Sequence, residues 1–359
     1  MVSYGWRADP GRDAGGTPAD RDRLVMGRLL RYFRRWNGRW RTPTGEAWQP
    51  ALALDAVVNS YERTRDDRYL AVVERSFARY RGRRSHFYDD DGWYLNAWLR
   101  AYDVTGGSAY RDEAEALFDE MTNGWDAVCA GGLWWNRDRQ YKNAITNELF
   151  LLAAARLHRR APNGEGPGSY RDWATRAWAW FDSSGMINEN GLINDGLDSR
   201  CANNGGVTWT YNQGVILGAL VEMWQMTGDR SYLDRAQQIA DATIATLVSP
   251  GGILTEPCEP DRCSGNAQIF KGVFAQGLAR LYAANPGAMP TYRTFLTANA
   301  DSLWSAARDR DNGIGLSWTG PAGRVTAATQ ISAALLLGEV ALLDTGGAAR
   351  PAPPRDGAA

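Results

Sequence analysis

Residues 213–247 read QGVILGALVEMWQMTGDRSYLDRAQQIADATIATL. The first half is apolar nearly all round, with Gly and Ala where neighbouring helices press together, and the second half repeats apolar residues at helical spacing. Between them, Thr227-Gly228-Asp229 ends one helix on a glycine and starts the next with an aspartate cap. The segment is a helical hairpin: a buried helix, a tight turn, and an outer helix led by Tyr232.

The same signature recurs outward in both directions as YERTRDDRYL (61–70), YDVTGGSAY (102–110), PGSYRDWA (167–174) and PTYRTF (290–295). The leading tyrosines fall at 69, 110, 170, 232 and 292, in steps of 41, 60, 62 and 60, so one loop per unit varies in length. Twelve helices follow, at about 20–36, 47–63, 67–82, 92–105, 107–123, 143–160, 168–184, 211–227, 229–248, 267–285, 291–310 and 326–345. Short turns alternate with long connections at 37–46, 83–91, 124–142, 185–210, 249–266 and 311–325. Every long connection runs from an outer to an inner helix, so all six emerge at one end. Six hairpins closing into a ring form an all-α toroid, the (α/α)6 barrel, and long loops in such a domain carry function. The expected organisation is one domain over 20–345, with flexible ends at 1–19 and 346–359, where Gly, Pro, Ala and charge dominate.

Composition excludes several function classes. At 44% hydrophobic and 23% charged the chain is ordinary globular protein. Forty basic against forty-one acidic side chains leave a net charge of -1, with no electrostatic footprint for nucleic acid or an anionic membrane. No run of about eighteen uninterrupted apolar residues and no N-terminal export signal is visible, so the sequence reads as soluble and cytoplasmic, without a transmembrane segment. Only His86 and His158 are present, too few for a zinc site beside four cysteines, and neither metal nor cofactor is expected. Sixteen Trp and fifteen Tyr exceed what core filling requires and suit stacking on the flat apolar faces of sugars. All basic residues but Lys142 and Lys271 are Arg, a bias in keeping with a GC-rich genome.

The long loops concentrate the chemistry. The second leads into HFYDDDGWYLNAWLRAYD (86–103), with Asp89, Asp90 and Asp91 placed just before an inner helix. One aspartate can cap that helix; three adjacent carboxylates repel, a cost that capping does not explain. Partial burial by Phe87, Tyr88, Trp93 and Tyr94 would raise one carboxyl's pKa while its neighbour stays ionised, the division of labour that glycosidic cleavage uses. The third loop and helix read GGLWWNRDRQYKNAITNELF (131–150). There Trp134 and Trp135 offer an aromatic platform, and Lys142, Asn143, Asn147 and Glu148 either bind hydroxyls or cap the helix. The fourth loop brings Asp195, a ligand or a turn residue, and Trp209, Tyr211 and Gln213 at a helix start. In the fifth, Cys258 and Cys263 allow a small disulfide, whereas Cys129 and Cys201 have no obvious mate. Lys271 follows at another inner-helix start, either by chance or because a slim ammonium is needed there.

The blocks YDDDGW, GGLWWNRDRQYKNAITNELF, TYNQGVILGAL followed by TGDRSYL, and IFKGVF, spread in order over 48–285, resemble glycoside hydrolase family 76, the endo-α-1,6-mannanase family that includes fungal cell-wall transglycosylases. The resemblance implies an (α/α)6 barrel, no cofactor, and Asp89 as nucleophile with Asp90 as acid/base. It also implies sugar contacts for Trp134, Trp135, Asn143, Asn147, Tyr211, Gln213 and Lys271. The expected activity is a retaining, internal cut of α-1,6-mannosidic linkages by a monomer, with α-1,6-mannan or mannooligosaccharide as partner. Transglycosylation of the same glycans, or mannan binding without catalysis, are the alternatives. The resembling family is mostly secreted or surface-attached, in tension with the missing signal. An epimerase reading would need histidines, and His158 lies roughly 22 Å along its helix from the motif face, at about 1.5 Å per residue.

Overall fold

The computed structural model describes residues 16–345 apart from 46, 261–262 and 288. Twelve α-helices occur among them: α1 Pro18–Leu29, α2 Gln49–Thr64, α3 Asp67–Tyr80, α4 Tyr88–Thr105, α5 Ser108–Thr122, α6 Ala144–Arg160, α7 Tyr170–Ser183, α8 Thr210–Thr227, α9 Ser231–Thr246, α10 Phe270–Ala284, α11 Pro290–Ala306 and α12 Ala327–Asp344. The even-numbered helices touch in sequence and α12 packs back on α2, which closes an inner ring; the odd-numbered helices lie outside it. This is the (α/α)6 barrel, with the long loops at one end. Glycines set the closest approaches: a Cβ on Gly277 of α10 would lie 2.0 Å from the carbonyl oxygen of Gly214 on α8. α12 is apolar enough to cross a membrane but is spent on the barrel core, where its residues are mostly buried.

Of the boundaries that differ from expectation, three bear on the loops and the aspartates. α1 begins at Pro18, capped by the Thr17 hydroxyl, which accepts from the Asp20 amide; residues 1–15 and 346–359 of the expected flexible ends lie outside the described residues. α1 also stops at Leu29, short of residue 36, because Phe33–Arg34 (β1) and Arg39–Trp40 (β2) pair as a small antiparallel hairpin. α4 begins at Tyr88, four residues early, so all three aspartates lie within its first turn.

The long loops share a construction that only the structure displays. Leu133, Ile193, Leu254 and Ile314 each close a β-bridge back onto the start of their loop, with Trp125, Ile187, Val248 and Arg308 respectively. Each then buries its side chain. A buried amide holds each bridge: Asn147, Gln213, Asn299 and Gln330 accept from the backbone N–H of Leu133, Ile193, Leu254 and Ile314 at 2.7 to 3.0 Å. The repeat of about sixty residues thus extends into the loops, and the rim is pinned at four points.

Candidate active site

Helical geometry turns the three aspartates in different directions, since successive residues rotate by about 100°. Asp91 is buried, accepts from the Ser85 amide at 2.7 Å and pairs with Arg137 at 3.1 Å. Arg137 also donates to the Ser85 carbonyl at 2.8 Å. Asp90 accepts from the Ser85 hydroxyl at 2.8 Å. Ser85, Arg137 and Asp91 form a clamp that fixes Asp90, and none of the three aspartates is a simple N-cap. Asp89 remains partly open to the rim, with Oδ1 unpartnered in the protein.

Loss of water raises all three carboxyls. Asp89 is pushed up to about 8 by desolvation first and by the adjacent Asp90 charge second, partly offset by the Trp135 indole. Asp90 is pushed up to about 6 by desolvation, against the Ser85 hydroxyl. Asp91 is also raised to about 6 by desolvation, against the Ser85 amide and Arg137. The Asp89–Asp90 pair titrates as a unit that holds one proton near neutrality.

The third loop lies alongside this turn. The Tyr88 amide donates to the Trp135 carbonyl at 2.8 Å, and Phe87 bridges Asn136. This sets the Trp135 ring 4.7 Å from Phe87 and beside Asp89. Behind it, Tyr141 donates to Asp195 at 2.8 Å. Tyr211 stacks on Phe270 with centroids 3.8 Å apart, and Trp209 meets the same ring edge-on. The Tyr211 hydroxyl is pushed well above its ordinary range by desolvation and then by the charges of Asp195, Asp89 and Glu148, so these groups face one centre. Glu148 is fully buried with both carboxyl oxygens unpartnered, and desolvation raises it well above the ordinary carboxyl range. The buried Asn212 amide faces Asp195, and Asn143 Oδ1, like the Glu148 oxygens, is buried without a hydrogen bond. Such groups cost about 1–3 kcal/mol each when left unmade, and a polyhydroxylated ligand carries the donors and acceptors to meet them.

Trp135 and Tyr211 therefore stand near Asp89, Asp195 and Glu148 face the same Tyr211 hydroxyl, and Asn143 and Trp209 precede the adjoining helices; the other seven expected ligands make contacts within the fold. Trp93 is buried face to face against Trp48 at 5.6 Å. Tyr94 points outward from the barrel, packing on Tyr80 and Trp98. Trp134 donates its indole N–H to Asp126 at 2.7 Å. Lys142 lies over the Trp134 ring and spends its ammonium on Asp126 and on the carbonyls of Val128, Gly131 and Gly132, all within 2.9 Å. Asn147 and Gln213 use their amides on the loop bridges. Lys271 pairs with Glu259, donates to the Leu316 carbonyl at 2.8 Å and lies over Trp318. Inner-helix starts are where loops must be fastened as well as where ligands bind, and residue type alone does not separate the two. Replacing Lys142 with Met should lower stability by about 3 kcal/mol, because Asp126 and three carbonyls lose their common donor; a denaturant midpoint shift measures it.

Two disulfides tie the rim, Cys258 to Cys263 and Cys129 to Cys201. The second joins the third and fourth loops and corrects the reading of these cysteines as unmated. Among the described residues, no three His, Cys, Asp or Glu side chains converge as a metal site. On the barrel axis a cavity lined by Asp55, Asn96, Arg156, Gln276 and Arg280 begins deeper along the inner helices than the Asp pair.

The profile of glycosyl hydrolase family 76 matches residues 19–345. The chain belongs to this family. The family-76 chain is 26% identical over 288 residues to the mannan endo-1,6-α-mannosidase DFG5 of Candida albicans, a match that covers 73% of this chain and 63% of that relative's length. It is 27% identical, at a TM-score of 0.79, to the α-1,6-mannanase GH76A of Salegentibacter sp. HEL1_6, over 91% of this chain and 100% of that one. That structure is an inactive variant with two consecutive aspartates replaced by asparagine, in complex with α-1,6-mannotriose. Dfg5 from Chaetomium thermophilum, in complex with glucosamine, shares the fold of this family-76 barrel at a TM-score of 0.80 and 17% identity.

Proposed function

We propose that this chain is a retaining glycoside hydrolase that cuts internal α-1,6 linkages of a mannan or mannooligosaccharide. The observation that carries the reading is the Asp89–Asp90 pair in the first turn of α4, both carboxyls raised by desolvation, while Asp91 is committed to Arg137. Of two possible adjacent pairs, this one alone leaves both carboxyls for chemistry, and the inactive Salegentibacter variant has two consecutive aspartates replaced.

In the reaction Asp89 attacks the anomeric carbon while Asp90 passes its proton to the departing glycosidic oxygen. The glycosyl–Asp89 ester is then opened by a water that Asp90 deprotonates. At rest the shared proton favours Asp89, the more strongly raised of the two. Positive charge developing at the anomeric carbon stabilises ionised Asp89 and shifts the proton to Asp90, where the leaving oxygen needs it. Glu148, neutral because buried, donates to a sugar hydroxyl, and Trp135 stacks on a ring. Two disulfides suit work in an oxidising compartment, against the cytoplasmic reading of the sequence.

Neighbouring carboxyls reach the ~5–5.5 Å separation of a retaining pair more readily than the ~6.5–9.5 Å of an inverting one. An NMR time course on a linear α-1,6-mannooligosaccharide should show the α-anomer as first product, with internal fragments early. First appearance of the β-anomer would refute the retaining mechanism.

A further inference from the structure

The near-neutral charge of the whole chain spoke against an anionic membrane as partner, but folding concentrates charge that the total conceals. Residues 31–41 read RYFRRWNGRWR, with five arginines and no acid. Arg31, Arg34, Arg35, Arg39 and Arg41 are all exposed. Between them Trp36 stands at the hairpin tip with 80% of its surface exposed.

This tip is held in place. Phe33 and Trp40, paired across the two strands, turn inward with ring centroids 4.9 Å apart. Trp40 donates its indole N–H to Ser76 at 3.3 Å and its backbone N–H to the Tyr80 hydroxyl at 3.2 Å. Gly38 has a φ of +67°, and a Cβ there would lie 2.3 Å from the Arg75 carbonyl oxygen, so the turn is pressed onto α3. Two aromatic anchors inside and one outside mean that Trp36 is displayed by the fold, at a cost in exposed apolar surface that folding alone does not offset.

The hairpin belongs to the first long loop and therefore to the same end of the barrel as the cleft. Val128 and Val207, the other large apolar side chains left exposed among the described residues, belong to the third and fourth long loops. Every such side chain thus lies at one end. An indole is at home at the level of lipid head groups, and guanidinium groups bind their phosphates while their stems lie along apolar surface. A neutral glycan has no use for five guanidinium groups.

We propose that the 31–41 hairpin docks the long-loop end of the barrel onto a bilayer surface rich in anionic phospholipid, with Trp36 at the head-group level. The cleft mouth then opens toward that surface. The test is co-sedimentation of the full chain with phosphatidylcholine vesicles, with and without about one-third phosphatidylglycerol, at low salt. Each arginine near such a surface contributes about fivefold. Partition should be at least tenfold stronger onto the anionic vesicles, fall tenfold or more in Arg34→Gln/Arg35→Gln, and fall several-fold in Trp36→Ala, with unchanged circular dichroism. Equal binding to both vesicles, no binding, or wild-type partition by these variants overturns the proposal. So does retention on an acidic polysaccharide such as polygalacturonate without vesicle binding, which would assign the hairpin to a glycan.

Discussion

Asparagine in place of Asp89 or of Asp90 removes nearly all turnover, by roughly 10²–10⁴-fold or more, and leaves the fold intact. Acid/base groups alone are worth that much, and loss of the nucleophile blocks the covalent intermediate entirely. Stability survives because desolvation is what raises both carboxyls, so a neutral amide of the same shape removes a buried charge or acid and leaves the core unchanged. The pH profile of kcat/KM in the wild type follows from the same pair. The active form holds one proton: below about 6 the second is taken up and the nucleophile is lost, and above about 8 the last one leaves and the acid is lost. Activity therefore peaks between these values, well above the range of ordinary carboxyls. Asp91 loses its charge, and the Arg137 clamp its partner, over the same acid limb. Wild-type rates in both variants, or a plateau reaching down to pH 4, would remove the pair from the mechanism.

Removing the Cys129–Cys201 disulfide by a double substitution to serine should cost about 4 kcal/mol of unfolding free energy, read as a drop in denaturant midpoint. The bridge spans 72 residues, from the third loop to the fourth, and the chain entropy that a cross-link removes from the unfolded state grows with the loop it closes. Cys258 and Cys263 are only 5 apart, so their loss should release about 2 kcal/mol at most and act chiefly on the order of the fifth loop. Equal effects of the two deletions would contradict this ranking.

Sequence periodicity alone determined the helices, their inner or outer placement and the common end of the long loops, because a helix records burial locally, every three to four residues. Adjacent repulsive charges marked the run Asp89, Asp90 and Asp91 without a fold, and the family resemblance singled out the first two. What each polar residue near the rim does was decided only by tertiary structure. Lys142, Asn147, Gln213 and Lys271 stand at helix starts just as Asn143, Glu148 and Tyr211 do, yet the first four spend their donors on loop backbone carried by other segments. Arg137 meets Asp91 from 46 residues away, and Cys129 meets Cys201 from 72. Neither contact leaves a local pattern, because a hydrogen bond or a cross-link depends on where the closed ring delivers each loop, and ring closure is a property of the whole chain.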